Sequence, residues 1–326
     1  MLSSGHERQH RKDPSAAEPA KLLLFLGSHF GVLFLRRLRE RYRDLSYKVV
    51  TRSVDSDRYY RYHSVSEYCA AAGIECLDTT VPGHDVSGFC ERFGADLILC
   101  GYYDKMLPDE VLGRVGGRAY NIHPGLLPFY RGPFPTAWAL LHEEKEIGLT
   151  IHLMDRGFDT GPIAVQKKFA ILPEETGHEL YTRSMDLGAE MLCEFVPRAL
   201  KRDVRLVDQS SLGVGSYYGK IEPYYAIDWR ENTGRIVNAV RIHSKPYFPA
   251  FSFLKNKMVL VNRCRPALDR PADLQAPGSI LSARPDGTFT VGCGNGVVEI
   301  TDHEVCPLGP GELREDFIRV GSKFLS

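Results

Sequence analysis

The feature that most narrows the possible folds is the run Leu22-Leu23-Leu24-Phe25-Leu26, bounded by Lys21 and Gly27. Five consecutive apolar residues leave no polar face, so a strand here must be covered on both sides. Such cover arises in parallel sheets, where crossover helices pack above and below. The chain that follows supplies the crossovers. Val32, Leu35 and Leu38 are spaced for a helix, with Ser28 placed to cap it. Tyr47 to Thr51 reads as a strand, Ser64 to Ala72 as a helix stopped by Gly73, Ile74 to Leu77 as a short strand and Val86 to Phe93 as a helix. Ala95 to Gly101 is the next buried strand, Tyr102 to Leu107 a loop, and Pro108 opens a short helix where proline is tolerated. Arg118 to Ile122 is a further strand. This alternation predicts a parallel α/β sheet with right-handed crossovers. Ligands of such sheets bind beyond the carboxyl ends of the strands, which places Tyr102 to Leu107 and Asn121 to His123 at one edge.

Thr136 to Leu141 reads as a helix, Gly148 to Met154 and Ala164 to Phe169 as strands, and Thr176 to Phe195 as a long amphipathic helix ended by Pro197. Met1 to Ala20 is polar and aperiodic, as expected of a disordered tail, and Asp55 to His63 reads as a surface loop. Gln209 to Tyr218 reads as a linker. Beyond it come a helix from Thr233 to His243 and five strand signals: Ala250 to Leu254, Met258 to Arg263, Gly278 to Ser282, Thr288 to Val291 and Val297 to Thr301. Asp286-Gly287 and Asn295-Gly296 are turn dipeptides, and short strands joined this way predict a small barrel. The expected organisation is a tail over 1–20, an α/β domain over 21–208, and a linker with a β-domain over 209–326.

Lys plus Arg and Asp plus Glu both number 41, so formal net charge is zero. That balance argues against a broad nucleic-acid-binding surface, which needs excess cations to neutralise phosphates. The eight cysteines show no CxxC spacing, so they read as reduced thiols of a cytoplasmic protein and not as metal ligands. No apolar run approaches the ~20 residues of a membrane span, and the N-terminus lacks a signal peptide's apolar core. Gly27 and Gly31 do not make a GxGxxG fingerprint, which excludes the usual dinucleotide loop.

The chemistry concentrates between Tyr120 and Gly161. Asn121 and His123 stand two apart at a strand end, so both point to one side. Asp159 lies in the loop Asp155-Arg156-Gly157-Phe158-Asp159-Thr160-Gly161, which could fold back on His123. An amide, an imidazole and a carboxylate suit acyl transfer: carbonyl polarisation, proton movement and tuning of the imidazole. His29, His142, His152 and His243 lack such neighbours in sequence and read as structural.

These residues carry a resemblance. Asn121-Ile122-His123-Pro124, Leu126-Leu127-Pro128, Tyr130-Arg131-Gly132 and Asp159-Thr160-Gly161 resemble the formyltransferase family that uses 10-formyltetrahydrofolate. Asp96-Leu97-Ile98, Leu107-Pro108 and Ile227-Asp228-Trp229 extend it over residues 21 to 305, with Asp55 to His63 departing most. The resemblance implies a Rossmann-like parallel-sheet domain followed by a barrel resembling an OB-fold. It implies Asn121, His123 and Asp159 as catalytic residues. Tyr102, Met106, Leu107, Met154, Asp155 and Phe158 fall where the family binds its pterin, and Tyr130, Arg131, Gly132 and Pro133 where it meets the amine. Tyr217, Tyr218 and Lys220 match the segment joining the domains, where core packing is expected.

The implied co-substrate is 10-formyltetrahydrofolate, with no metal. The expected acceptor is a nucleotide-linked amino sugar. Neutral charge and a short C-terminal part favour it, and Tyr130 to Pro133 followed by Trp138 resembles sugar-modifying members. Methionyl-tRNA and a hydroxylated ornithine for siderophore assembly are the alternatives. A folate-binding regulatory protein with a dead site is a third, against which the intact Asn121, His123 and Asp159 argue. The chain is expected to act in the cytoplasm on a small-molecule amine, without a membrane or nucleic-acid partner, alone or as a homodimer.

Overall fold

The apolar run forms strand β1 (Lys21–Leu26), with its last five residues buried. The structure is a computed structural model and describes residues 19–52, 64–268, 276–307 and 318–325. The expectations for the tail up to residue 18 and for residues 55–63 lie outside the described residues. Strands β2 (Ser46–Thr51) and β4 (Leu97–Gly101) flank β1 in parallel. β3 (Cys76–Asp78) and β5 (Ala119–His123) extend the parallel set on either side. β6 (Glu146–Leu153) and β7 (Ile163–Ala170) complete the order β3-β2-β1-β4-β5-β6-β7.

β6 runs antiparallel to both its neighbours, so the sheet is mixed and not wholly parallel. The β6–β7 connection, residues 154–162, explains half of this. A parallel return needs a crossover of about a dozen residues or more, usually a helix, and this loop is too short for one.

The pleat of β1 sorts its side chains into two cores. Leu22, Leu24 and Leu26 pack with Phe30, Phe34 and Leu35 of α1 (Ser28–Arg41) and Met185 and Leu192 of α6 (Gly177–Leu200). Leu23 and Phe25 pack with Phe89 and Phe93 of α3 (Val86–Phe93) and Val111 of α4 (Asp109–Arg114). α2 (Val65–Ala72) begins in a full capping box from Ser64 and Glu67, and α5 (Pro135–Leu141) lies between β5 and β6 in sequence.

Two terminus expectations are corrected. Ser28 does not cap α1. Its φ is +54° and its hydroxyl is directed at Met185 Sδ, 3.6 Å away. Pro197 does not end α6, which continues to Leu200. A proline has no N–H for the carbonyl four residues earlier, here Cys193. The Tyr42 hydroxyl donates to that carbonyl at 2.9 Å and replaces the missing donor.

The second sheet is antiparallel, ordered β10-β11-β12-β9-β8, from β8 (Ala250–Leu254), β9 (Lys257–Pro266), β10 (Ile280–Ala283), β11 (Phe289–Gly292) and β12 (Val297–Pro307). Helix α7 (Thr233–Ile242) packs on its core, which holds Trp229, Ile236, Phe289 and Phe324. The last described residues close the sheet. Ile280 N donates to Ser322 O at 2.8 Å and Phe324 N to Gly278 O at 2.9 Å on one edge, and Leu325 N donates to Phe253 O at 2.8 Å on the other. Edge groups that would otherwise be unpaired are thereby satisfied.

Candidate active site

Tyr120 and Ile122 join the core against α1 and α6, so alternation along β5 sends Asn121 and His123 to the opposite face. Antiparallel register sets His152 opposite Asn121 and Thr150 opposite His123. Loop 154–162 then brings Asp159 onto both histidines. His123 Nδ1 is 3.5 Å from Asp159 Oδ2, and His152 Nε2 is 3.4 Å from Asp159 Oδ1. Asn121 Nδ2 stands 3.2 Å from His152 Nε2. His123 Nε2 donates to the Tyr130 carbonyl at 2.7 Å, and Gly132 N donates to Asp159 Oδ2 at 3.0 Å. His123 is 4% exposed and His152 3%.

Tight backbone makes this arrangement possible. A Cβ at Gly125 would lie 2.7 Å from His123 Nε2, so the ring occupies space that only glycine leaves. Thr150 Oγ1 donates to Gly125 O at 2.6 Å, and Gln166 Nε2 donates to Leu127 O at 2.9 Å, which pins the loop after β5 to β6 and β7. Tyr130, Phe134 and Asp159 all hold positive φ, as do Ser28 and Tyr102 just after β1 and β4. Each such non-glycine residue costs on the order of 1 kcal/mol, and clusters of them mark functional sites.

The protonation pattern follows from the partners. Nε2 of His123 carries the proton that goes to Tyr130 O, leaving Nδ1 to face the carboxylate. Burial pushes the His123 pKa down, offset in part by Asp159 and the Tyr130 carbonyl, so the ring rests neutral. Burial would push Asp159 up, but the charged forms of His123 and His152, with the Gly132 N–H, outweigh it and hold the carboxyl well below the usual range. An imidazole neutral at rest, with an anion aimed at the nitrogen that would take a proton, is suited to proton transfer. His152 Nδ1 donates to Leu153 O at 2.9 Å, so its Nε2 accepts from the Asn121 amide. A primary amide has two N–H bonds, and the other one remains for a developing oxyanion.

The residues expected at the pterin side divide. The Tyr102 ring stacks on Phe30 at 4.8 Å, meets Tyr181 edge-on at 5.5 Å, and its hydroxyl bonds Ser184 at 3.1 Å. That ring belongs to the core. Leu107 is buried in the core against α3 and α4, and Met154 packs on that core. Asp155 accepts from Gly157 N at 3.0 Å and Thr160 Oγ1 at 2.7 Å, which makes it the brace of the loop. Met106 and Phe158 are exposed.

On the amine side, Tyr130 gives its carbonyl to His123 and its hydroxyl to Glu144 at 2.6 Å. Arg131 donates to Gln209 Oε1 at 3.1 and 2.7 Å, Gly132 holds Asp159, and Pro133 is half-buried. Core packing does not describe Tyr217, which is 60% exposed and lies against Gly132. Tyr218 stacks between Tyr130 at 5.4 Å and Trp138 at 5.0 Å. Two residues of the cluster were not legible in sequence. His152 becomes visible only through the β5–β6 register. Gln209, read as linker, heads a 3-10 helix (Gln209–Leu212) and is 2% exposed.

Residues 57–196 match the formyl transferase family, and residues 220–305 match the formyl transferase C-terminal domain. A methionyl-tRNA formyltransferase of Myxococcus xanthus is 31% identical over 229 residues, 70% of this chain and 71% of that protein. Among solved structures, WlaRD, a sugar 3N-formyl transferase determined in the presence of dTDP and 5-N-formyl-THF, superposes with a TM-score of 0.68 at 16% identity, over 90% of this chain and 100% of that one. The N-formyltransferase of Helicobacter canadensis, in complex with folinic acid and dTDP-3-aminofucose, gives 0.68 at 18% identity, over 87% and 100%. HypX from Aquifex aeolicus gives 0.57 at 19% identity, over 90% of this chain and 46% of that one. At these identities the structural likeness speaks for the fold.

Proposed function

The chain belongs to the formyl transferase family, and we propose that it moves a formyl group from 10-formyltetrahydrofolate to the amino group of a nucleotide-linked sugar. The observation that carries the formyl-transfer reading is the contact chain Asn121–His152–Asp159–His123 on one buried face. The neutral amine attacks the formyl carbon, and a C–N bond forms as the carbonyl becomes an oxyanion. The free Asn121 N–H faces that charge. His123 takes the amine proton with Asp159 stabilising the imidazolium, and returns it to N10 of the folate as the bond from N10 to carbon breaks. Met106 and Phe158, both exposed and apolar, offer contact area to the pterin.

Two solved relatives support the sugar acceptor: both were determined with dTDP or a dTDP-linked amino sugar, and each is covered along its whole length by this fold. Zero net charge points the same way. A second reading, methionyl-tRNA as acceptor, is favoured by the 31% identity to the Myxococcus xanthus enzyme. The two separate in one assay. The protein is incubated with 10-formyltetrahydrofolate and either dTDP-3-aminofucose or methionyl-tRNA, and products are read by mass at low and moderate salt. Formylated sugar with a shallow salt response supports the proposal. Formylated methionyl-tRNA alone, with activity falling steeply as salt rises, assigns the chain to the second reading.

A further inference from the structure

Gln209 stands fifty positions from Asp159 in sequence and touches its backbone. Its Nε2 donates to Asp159 O at 2.8 Å and Gly161 O at 2.7 Å, and its Oε1 accepts from Arg131 Nε at 3.1 Å and Nη2 at 2.7 Å. A primary amide has two N–H bonds and two acceptor sites, and all four are used here. The backbone that carries it is also held: Val207 exchanges backbone hydrogen bonds with Ile163 at 2.8 and 2.9 Å, and Asp208 accepts from Ser210 N at 2.8 Å.

The partners of Gln209 belong to the two loops that frame the site. Asp159 holds φ +56°, so its carbonyl points where no regular structure would meet it, and Gln209 meets it there. Arg131 lies between Tyr130, whose carbonyl orients His123, and Gly132, whose N–H holds Asp159. One buried amide therefore joins the loop carrying the carboxylate to the loop carrying the backbone partners of both His123 and Asp159.

We propose that Gln209 is the positioning residue for Asp159, locking these two loops into one unit so that the carboxylate stays aimed at His123 Nδ1. The inference rests on the reading that Asp159 acts on His123. A misplacement of about 1 Å in such a site costs about 10²-fold in rate.

The test follows imidazole titration by NMR in full-length protein with labelled histidine, which needs no acceptor. The groups facing His123 are Asp159, His152 and the Tyr130 carbonyl. Gln209→Met is expected to lower the His123 pKa, because the supporting carboxylate moves off. It is also expected to lower kcat about 10²-fold, measured with 10-formyltetrahydrofolate and dTDP-3-aminofucose. In an Asp159→Ala background, Gln209→Met is expected to shift neither value further, since groups acting as a unit are not additive. Gln209→Asn, whose amide is one methylene too short to span both loops and which adds no charge, repeats the test if the Met variant fails to fold. An unchanged His123 titration in Gln209→Met, or the same fold-loss in both backgrounds, overturns the inference. If Asp159→Ala itself leaves His123 unmoved, the Asp159–His123 reading fails first and takes this one with it.

Discussion

Asn121 and His152 face each other across the β5–β6 pair, and the Asn121 amide meets His152 Nε2 at 3.2 Å. The amide proposed to stabilise the oxyanion is thus oriented by a second histidine that also contacts the carboxylate. His152→Leu is expected to lower kcat by about 10-fold or more, through a mobile Asn121 amide, while donor binding changes little. Steady-state kinetics with donor titration checks this. Wild-type turnover in the variant would return His152 to a packing role.

Removing the proposed proton carrier should be costlier. His123→Ala is expected to cut kcat by about 10²- to 10⁴-fold, the usual range for a general acid–base group. Folate affinity, followed by fluorescence quenching, should stay within a few-fold. Parallel loss of affinity and turnover would make His123 a ligand-holding residue.

Gly125→Ala tests the same ring from below. The new Cβ would sit 2.7 Å from His123 Nε2, where the Tyr130 carbonyl also waits at 3.2 Å. Something must give at that distance, and the ring, held on Tyr130 O, is expected to shift. Activity is expected to fall about as far as a 1 Å misplacement implies, about 10²-fold. A structure of the variant with His123 unmoved would contradict the account.

The buried carboxylate also sets an acid limit. Asp159 has its folded pKa below the ordinary 3.8, so it stabilises the fold above that pH and the contribution is lost as pH falls through the lower, folded value. His123, lowered from 6.5 by burial, acts with the same sign: its contribution is full above 6.5 and declines below it. Urea midpoints measured between pH 7 and 2 should fall for wild type, and fall less at the acid end for Asp159→Asn. Parallel curves for the two proteins would count against a depressed Asp159.

Closure of the second sheet depends on its last residues. Phe324 is buried against Trp229 at 5.2 Å and Phe289 at 6.3 Å. Phe324→Ala is expected to cost about 3–5 kcal/mol in urea unfolding, and a loss well under 1 kcal/mol would show that the segment is dispensable.

Much of this molecule is legible in local sequence. The Leu22–Leu26 run, the spacing of Asn121 and His123, and the glycines around Asp159 each act within a few residues, so β1, the end of β5 and the loop carrying Asp159 can all be read directly. Register and turn connection are different. Whether β6 runs with or against β5 depends on how the chain returns, and only that return sets His152 opposite Asn121. Pro197 reads as a helix end until Tyr42, far away in sequence, supplies the donor the proline lacks. Gln209 reads as linker until its amide is found between Arg131 and Asp159. Sequence alone determined which chemical groups are present and which strands carry them, because propensity and alternation are short-range. The tertiary structure alone decided which groups share a hydrogen bond, because those contacts join segments whose proximity exists only once the sheet has formed.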